Sequence, residues 1–164
     1  MATKQGSAEL LKDPVAQQLL QSQIPASLAY NWTDGTPRVV PIWFHWNGSE
    51  VVFGTPADAP KMKALKDGTR VAVTIGTDVM PHKVLMVRGP IRTDTIAGIA
   101  PEYAAAGKRM LGDEAGKAWL DQAAALFPRM SRIFVTPEWV GVLDFETRYP
   151  SAIERAMGRM QAQP

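Results

Sequence analysis

Apolar and polar residues alternate along this chain in two rhythms. Near the start, Leu11, Val15 and Leu19 fall four apart, the spacing of one helical face. This predicts a helix over Glu9–Gln23, or one that starts at Asp13-Pro14 with Asp as N-cap and Pro at the first helical position. Pro25 ends it, and the rhythm then changes to that of extended chain. Ala26–Trp32 reads as a strand, Thr33-Asp34-Gly35 as a turn, and Arg38–Trp46 as a second strand rich in β-branched and aromatic residues. Asn47-Gly48 is the strongest hairpin signal, and Glu50–Thr55 is the returning strand. A helix over Pro60–Lys66 follows, closed by Asp67-Gly68. Arg70–Thr77 and Lys83–Thr93 are strands, the second bent or bulged at Gly89-Pro90.

Two helices come next. Pro101–Leu111 ends at Gly112, and Asp113–Phe127 carries Trp119, Ala123 and Leu126 on one face. Ser131–Val135 and Trp139–Phe145 read as one long strand interrupted at Thr136-Pro137, and Ser151–Met160 as a terminal helix with Ile153, Met157 and Met160 clustered. That makes six or seven strands, mostly joined by short turns. Short connections favour antiparallel pairing. The pattern predicts an α+β fold, mainly β: a closed or nearly closed antiparallel barrel with flanking helices. No repeat, linker or low-complexity tract interrupts it, so residues 1–164 are expected to form a single domain, with a helical insert over about 96–128 and a C-terminal helix over about 151–162.

Composition narrows the chemistry. With 164 residues, 46% of them apolar, the chain can build a real core. Eighteen basic and 16 acidic residues leave a net charge of +2, too even to argue for nucleic acid. The absence of cysteine rules out disulfides, thiol catalysis and thiolate metal sites. The polar N-terminus lacks an apolar signal core, and no apolar run approaches the ~20 residues of a membrane span. A soluble, cytoplasmic protein is expected, without membrane association. The only histidines are His45 and His82, and no third ligand stands at a suitable spacing, so no metal site is expected. Asp144 and Glu146 read as a solvated pair on one strand face. No Gly-x-Ser-x-Gly, Gly-x-Gly-x-x-Gly or Walker-type loop is present. With so few acids and bases, no catalytic residue can be assigned, and any chemistry points to a borrowed cofactor.

One corner suits an anion. Thr55–Lys66 runs from a strand into a helix start, with Lys61 in the first turn on the same face as Leu65. A cation there opposes the helix dipole by up to ~1 kcal/mol, and charge-assisted hydrogen bonds to a phosphate, at ~1.5–3 kcal/mol, would offset it. A solvated lysine beside Lys63 and Lys66 is the other reading, and spacing alone leaves both open. Trp43 and Trp46 are either a platform for a flat ring or core and dimer contacts. Arg38 is either a phosphate partner or a surface arginine at a strand start.

The block DGTPRVVPIWFHWNGSEVVFGTPADAPKMKALKDGTRVAVTI, followed by KVLMVRGPI, resembles the FMN-binding split-barrel superfamily. This group comprises the pyridoxamine 5'-phosphate oxidase-like proteins and the related flavin/deazaflavin oxidoreductases. The likeness covers roughly Ile24–Thr93. It implies a six-stranded antiparallel split β-barrel that forms a homodimer with a cofactor at the subunit interface. By the same resemblance, Arg38 helps bind phosphate, and the segment Val39, Val40, Pro41 to Trp43 borders the isoalloxazine ring. Thr55 approaches the phosphate or ribityl chain, and Lys61 pairs with the phosphate. Pro56 and Met62 join these as cofactor-binding positions, and Lys83 marks a basic position on a later strand. The implied activity is hydride transfer between FMN, or alternatively the 5-deazaflavin coenzyme, and a small organic substrate; a non-catalytic flavin-binding module is a further alternative. The chain departs from the pattern at Ala59-Pro60, where tight binders often carry Ser-Arg, at Val84, where a glutamine is usual, and at Trp43, where the oxidase has lysine. The C-terminal Arg-x-His substrate motif is missing, which argues against pyridoxamine phosphate oxidation itself.

Overall fold

A computed structural model describes residues 4–162. Eight strands, all paired antiparallel, make one continuous sheet in the order β2-β1-β5-β6-β7-β4-β3, with β8 on the free side of β6. The strands are β1 (Ala26–Asn31), β2 (Pro37–Ile42), β3 (His45–Trp46), β4 (Val51–Pro56), β5 (Arg70–Gly76), β6 (Lys83–Ala97), β7 (Arg129–Val135) and β8 (Trp139–Asp144). The end strands of that path, β2 and β3, are separated in the chain only by Trp43 and Phe44. So short a link spans at most about 10 Å, so the sheet must curl until its two ends meet. The result is a barrel whose seam between β2 and β3 is covalent and has no ladder of hydrogen bonds.

The long strand β6 serves both halves of the barrel. Its first part pairs with β5 and β8, and from Ile91 onward it pairs with β7. The change of partner happens at Gly89-Pro90, where the chain between β7 and β8 crosses. Thr136 donates to the Pro90 carbonyl at 3.0 Å and Glu138 to the Arg88 carbonyl at 3.0 Å. A Cβ on residue 89 would lie 1.8 Å from the Thr136 carbonyl oxygen, so only glycine fits there.

Alternate residues of the strands fill the barrel: Leu28, Phe53, Val73, Ile75, Leu85, Val87, Ile133 and Val142 are all at most 1% exposed. Each such side chain contributes roughly 1.5–3 kcal/mol of burial. Helix α1 (Pro14–Leu20) adds Leu19 and Leu20 to this core. Asp13 caps it, its Oδ1 accepting from Val15 N at 2.9 Å, and a single 3-10 segment, Ala8–Lys12, precedes it. The later of the two predicted starts is thus the observed one. Gln5 binds β8 as a short strand would: its amide donates to the Val142 carbonyl at 2.6 Å and accepts from Val142 N at 2.9 Å. Helices α2 (Pro101–Leu111) and α3 (Asp113–Leu126) form a hairpin, of which α2 packs against β3 and β4. Among the described residues, no helix is long and apolar enough to cross a membrane.

Several sequence expectations need correction. The sheet has eight strands where six were expected. The segment Arg38–Trp46 breaks at Trp43-Phe44, where the chain turns the barrel corner. The interruption expected at Thr136-Pro137 is there, but it separates two strands rather than breaking one, because the crossing over Gly89 moves the chain from one half of the barrel to the other. β6 runs four residues past Thr93, since Asp94 and Thr95 find partners in Arg132 and Ser131. The helix expected over Pro60–Lys66 is only a 3-10 turn, Pro60–Lys63. Asp144 and Glu146 are not a solvated pair. Asp144 is 6% exposed and caps its own turn, accepting from Glu146 N and Thr147 Oγ1. The terminal helix α4 (Ser151–Gln161) does form, but buries none of its residues.

Candidate functional site

The anion corner is built by β4 and the turn after it. Thr55 is 3% exposed, and the Lys61 ammonium donates to its hydroxyl at 3.0 Å. Lys61 is half-buried and, among the described residues, meets no carboxylate within ion-pair distance. Loss of hydration pushes its pKa below the ordinary lysine value of 10.5. The helix-terminus contribution expected from the sequence is largely absent. The turn is too short for a substantial dipole, Pro60 has no N–H, and the amides of Ala59 and Met62 already bond to Pro56 and Ala59 carbonyls. What remains is a side-chain site. Thr55 stands opposite Ser131, which stands opposite Thr95, so three hydroxyl residues share one face across β4, β7 and β6. Ser131 Oγ and Thr95 Oγ1 are 2.9 Å apart. Lys61 closes this row at its β4 end. Pro56 ends β4, and Met62 packs against the core from the same turn.

The residues of β2 divide between two places. Pro41 and Trp43 line a hollow of about 340 Å³ together with Ile42, Gly54, Tyr103 and Trp119. Arg38 lies at the other end of the strand. At roughly 3.3 Å per residue it stands about 16 Å from Trp43. There it borders a second hollow with Arg70, Arg88 and Trp139, its guanidinium 5.9 Å from the Trp32 ring. Arg88 lies over the Trp139 ring at 4.0 Å. Val39 is 66% exposed and Val40 is partly buried, packed on the core. Lys83, at the start of β6, donates to Gln18 Oε1 of α1 at 3.3 Å. Within the chain, Thr55 and Lys61 are therefore in contact, Trp43 and Pro41 are together, and Arg38 and Lys83 stand apart from both.

The sequence reading names none of the side chains on the far wall of the Trp43 hollow as site residues. Its other wall is the α2–α3 hairpin: the Trp43 ring lies 6.3 Å from Tyr103 at 32° and 5.8 Å from Trp119 at 60°. Trp119 Nε1 donates to the Tyr103 hydroxyl at 2.8 Å. Gly54 lets α2 come this close: a Cβ there would lie 2.7 Å from Tyr103 Cβ, whereas one on Gly107, 3.8 Å from the Trp43 and Trp119 rings, would make only ordinary contact. A glycine facing an aromatic across 49 positions of chain leaves no local pattern. Nearby, Arg132 ties α2 to the sheet through Asp94 at 2.5 Å and Glu102 at 3.3 Å. His45 lies near Arg109 and Glu102; burial, and then Arg109, lower its pKa, with Glu102 opposing. Among the described residues, no group of three or more His, Cys, Asp or Glu side chains is placed to hold a metal ion.

No protein-family model matches this sequence, and no curated protein matches it. Solved structures do match its shape. An F420 reductase superposes on 76% of this chain and 94% of its own, with a TM-score of 0.56 and 23% identity. A conserved hypothetical protein from Mycobacterium tuberculosis covers 87% of this chain and 91% of its own, at TM-score 0.63 and 18% identity. A putative pyridoxamine 5'-phosphate oxidase from Listeria innocua covers 81% and 98%, at 0.54 and 20%. The chain has the fold of the pyridoxamine 5'-phosphate oxidase-like split barrels. At these identities the likeness is one of fold.

Proposed function

We propose that this split barrel is a flavin-dependent oxidoreductase that holds FMN and exchanges hydride with a small organic substrate. The observation that carries the reading is Lys61: a half-buried ammonium with no carboxylate partner among the described residues, fixed by a buried threonine hydroxyl. A cation that has lost hydration without gaining a counter-charge is poised for an anion. A phosphate fits that donor set. Lys61 neutralises it, and Thr55 fixes the ammonium and presents its hydroxyl. Pro56 and Met62 shape the turn that carries Lys61. The segment Val39, Val40, Pro41 to Trp43 offers an exposed edge to the flavin ring. Arg38 and Lys83 serve as outlying cations, Arg38 for phosphate bound across a homodimer. When bound, FMN supplies the hydride chemistry, and the protein contributes binding, orientation and the exclusion of water by the α2–α3 hairpin. The exposed Val39 and the apolar face of α4, with Ile153, Met157 and Met160 at 40–76% exposure, fit a second copy of the chain.

Lys61→Ala is the direct test. FMN affinity is expected to fall at least tenfold, about 1.4 kcal/mol. A change of twofold or less overturns the phosphate assignment. The F420 reductase among the structural neighbours favours a second reading, use of the 5-deazaflavin coenzyme. The absorption of purified protein separates the two: flavin bands support FMN, and a colourless protein that binds added deazaflavin supports the other. Binding without turnover on a reduced nicotinamide donor would instead mark a flavin-binding module.

A further inference from the structure

We propose that Arg109 is a positioning residue for the flavin: its guanidinium clamps the Trp43-Phe44 corner to α2, and so fixes the segment that borders the ring without touching the ligand. The flavin's part in this rests on the flavoprotein reading; the clamp itself does not. Arg109 stands in the last turn of α2. Its Nη2 donates to the Phe44 carbonyl, and its Nε donates to the Ser22 carbonyl at 2.9 Å. A return bond comes from the residue after Ser22: Gln23 Nε2 donates to the Arg109 carbonyl at 2.9 Å. The guanidinium also lies over the Phe44 ring, 4.5 Å from its centroid.

Three pieces of chain therefore meet at one side chain: the loop between α1 and β1, the corner between β2 and β3, and α2. The same three wall the Trp43 hollow, through Pro25, Trp43 and Tyr103. Arg109 does not line it, so it acts through its neighbours. The corner needs a clamp because no ladder joins β2 to β3, and Trp43 and Phe44 belong to neither strand. With the Phe44 ring buried at 0% exposure and its carbonyl held, the adjoining Trp43 has little freedom left. The task calls for a guanidinium. One rigid plane must reach two carbonyls of different segments and stack on a ring, and an ammonium offers neither the fork nor the flat face. Ion pairing does not explain the residue. Among the described residues Arg109 meets no carboxylate within ion-pair distance, and burial lowers its pKa, a cost that the bonds to carbonyls offset.

The test compares FMN with riboflavin, which has the ring and no phosphate, as ligands of the intact protein. In Arg109→Lys, which keeps the charge and loses the fork, both are expected to bind at least tenfold more weakly, and by the same factor. Lys61→Ala is expected to weaken FMN and leave riboflavin unchanged, which separates ring placement from phosphate binding. In Arg109→Ala, added guanidinium ion should restore riboflavin affinity, and ammonium at the same concentration should not. Should Arg109→Ala fail to fold, Arg109→Lys carries the test. Ligand-free protein supplies a second readout, the near-UV circular dichroism of Trp43 against Trp119, whose rings are 5.8 Å apart. That signal is expected to diminish in Arg109→Lys. Wild-type affinity for both flavins in Arg109→Lys overturns the proposal, as does a loss confined to FMN or a near-UV spectrum identical to wild type. A wild-type protein that binds neither flavin overturns the flavoprotein reading instead, and the near-UV spectra then decide the clamp by themselves.

Discussion

At the scale of single residues, Lys61 sets a pH dependence that can be worked out. Its pKa in the folded chain lies below the 10.5 of the free side chain, because burial disfavours the ammonium. Between those two values the unfolded chain binds more protons, so this group's contribution to stability rises with pH through that window. Phosphate binding runs the other way, since only the ammonium neutralises it. FMN affinity is therefore expected to fall as pH rises, beginning below 10.5. In Lys61→Arg, which stays charged, the alkaline fall should move up or vanish; titrating Kd between pH 7 and 11 checks this. Lys61 and Thr55 are legible in the sequence because six residues of turn bring them together. Tyr103 and Gly54 are not, because their contact depends on packing across 49 positions of chain. Arg38 is visible as a residue but not as a place: the sequence does not tell that β2 carries it away from Trp43.

At the scale of elements, strand content follows from alternation, and most boundaries fall within a few residues of the observed ones. The failures have local causes. The turn over Pro60–Lys63 stops short because Leu65 must enter the core, at 0% exposure, and the chain leaves helical geometry after it. The apolar faces of α3 and α4 look alike in sequence but differ in fate. On α3, Ala123 is buried and Trp119 lines the hollow, while Leu126 is 62% exposed. On α4 nothing is buried, for among the described residues no other element packs closely over it. The docking of α2 depends on Gly54. Gly54→Ala would force Tyr103 back by several tenths of an ångström, or displace the helix. It is expected to cost about 1–3 kcal/mol in chemical denaturation.

At the scale of the whole molecule, a closed or nearly closed antiparallel barrel could be inferred from short connections, whereas the means by which it closes could not. That closure depends on Trp43-Phe44 joining the two ends of the sheet and on a bare Gly89 under the Thr136 carbonyl. It also has a dynamic consequence. β2 is held by β1 along one side only, and two of its six residues are prolines without an amide hydrogen. The seam can breathe while the rest of the barrel stays shut. In deuterium exchange of the native protein, the amides of Arg38, Val39, Val40 and Ile42 are expected to label well before those of β5 and β6, which are flanked on both sides. If a flavin lies along that strand, adding FMN will slow labelling there and leave β5 and β6 as they were. A seam that opens easily when empty and is sealed by its ligand would make this edge the doorway through which the cofactor enters.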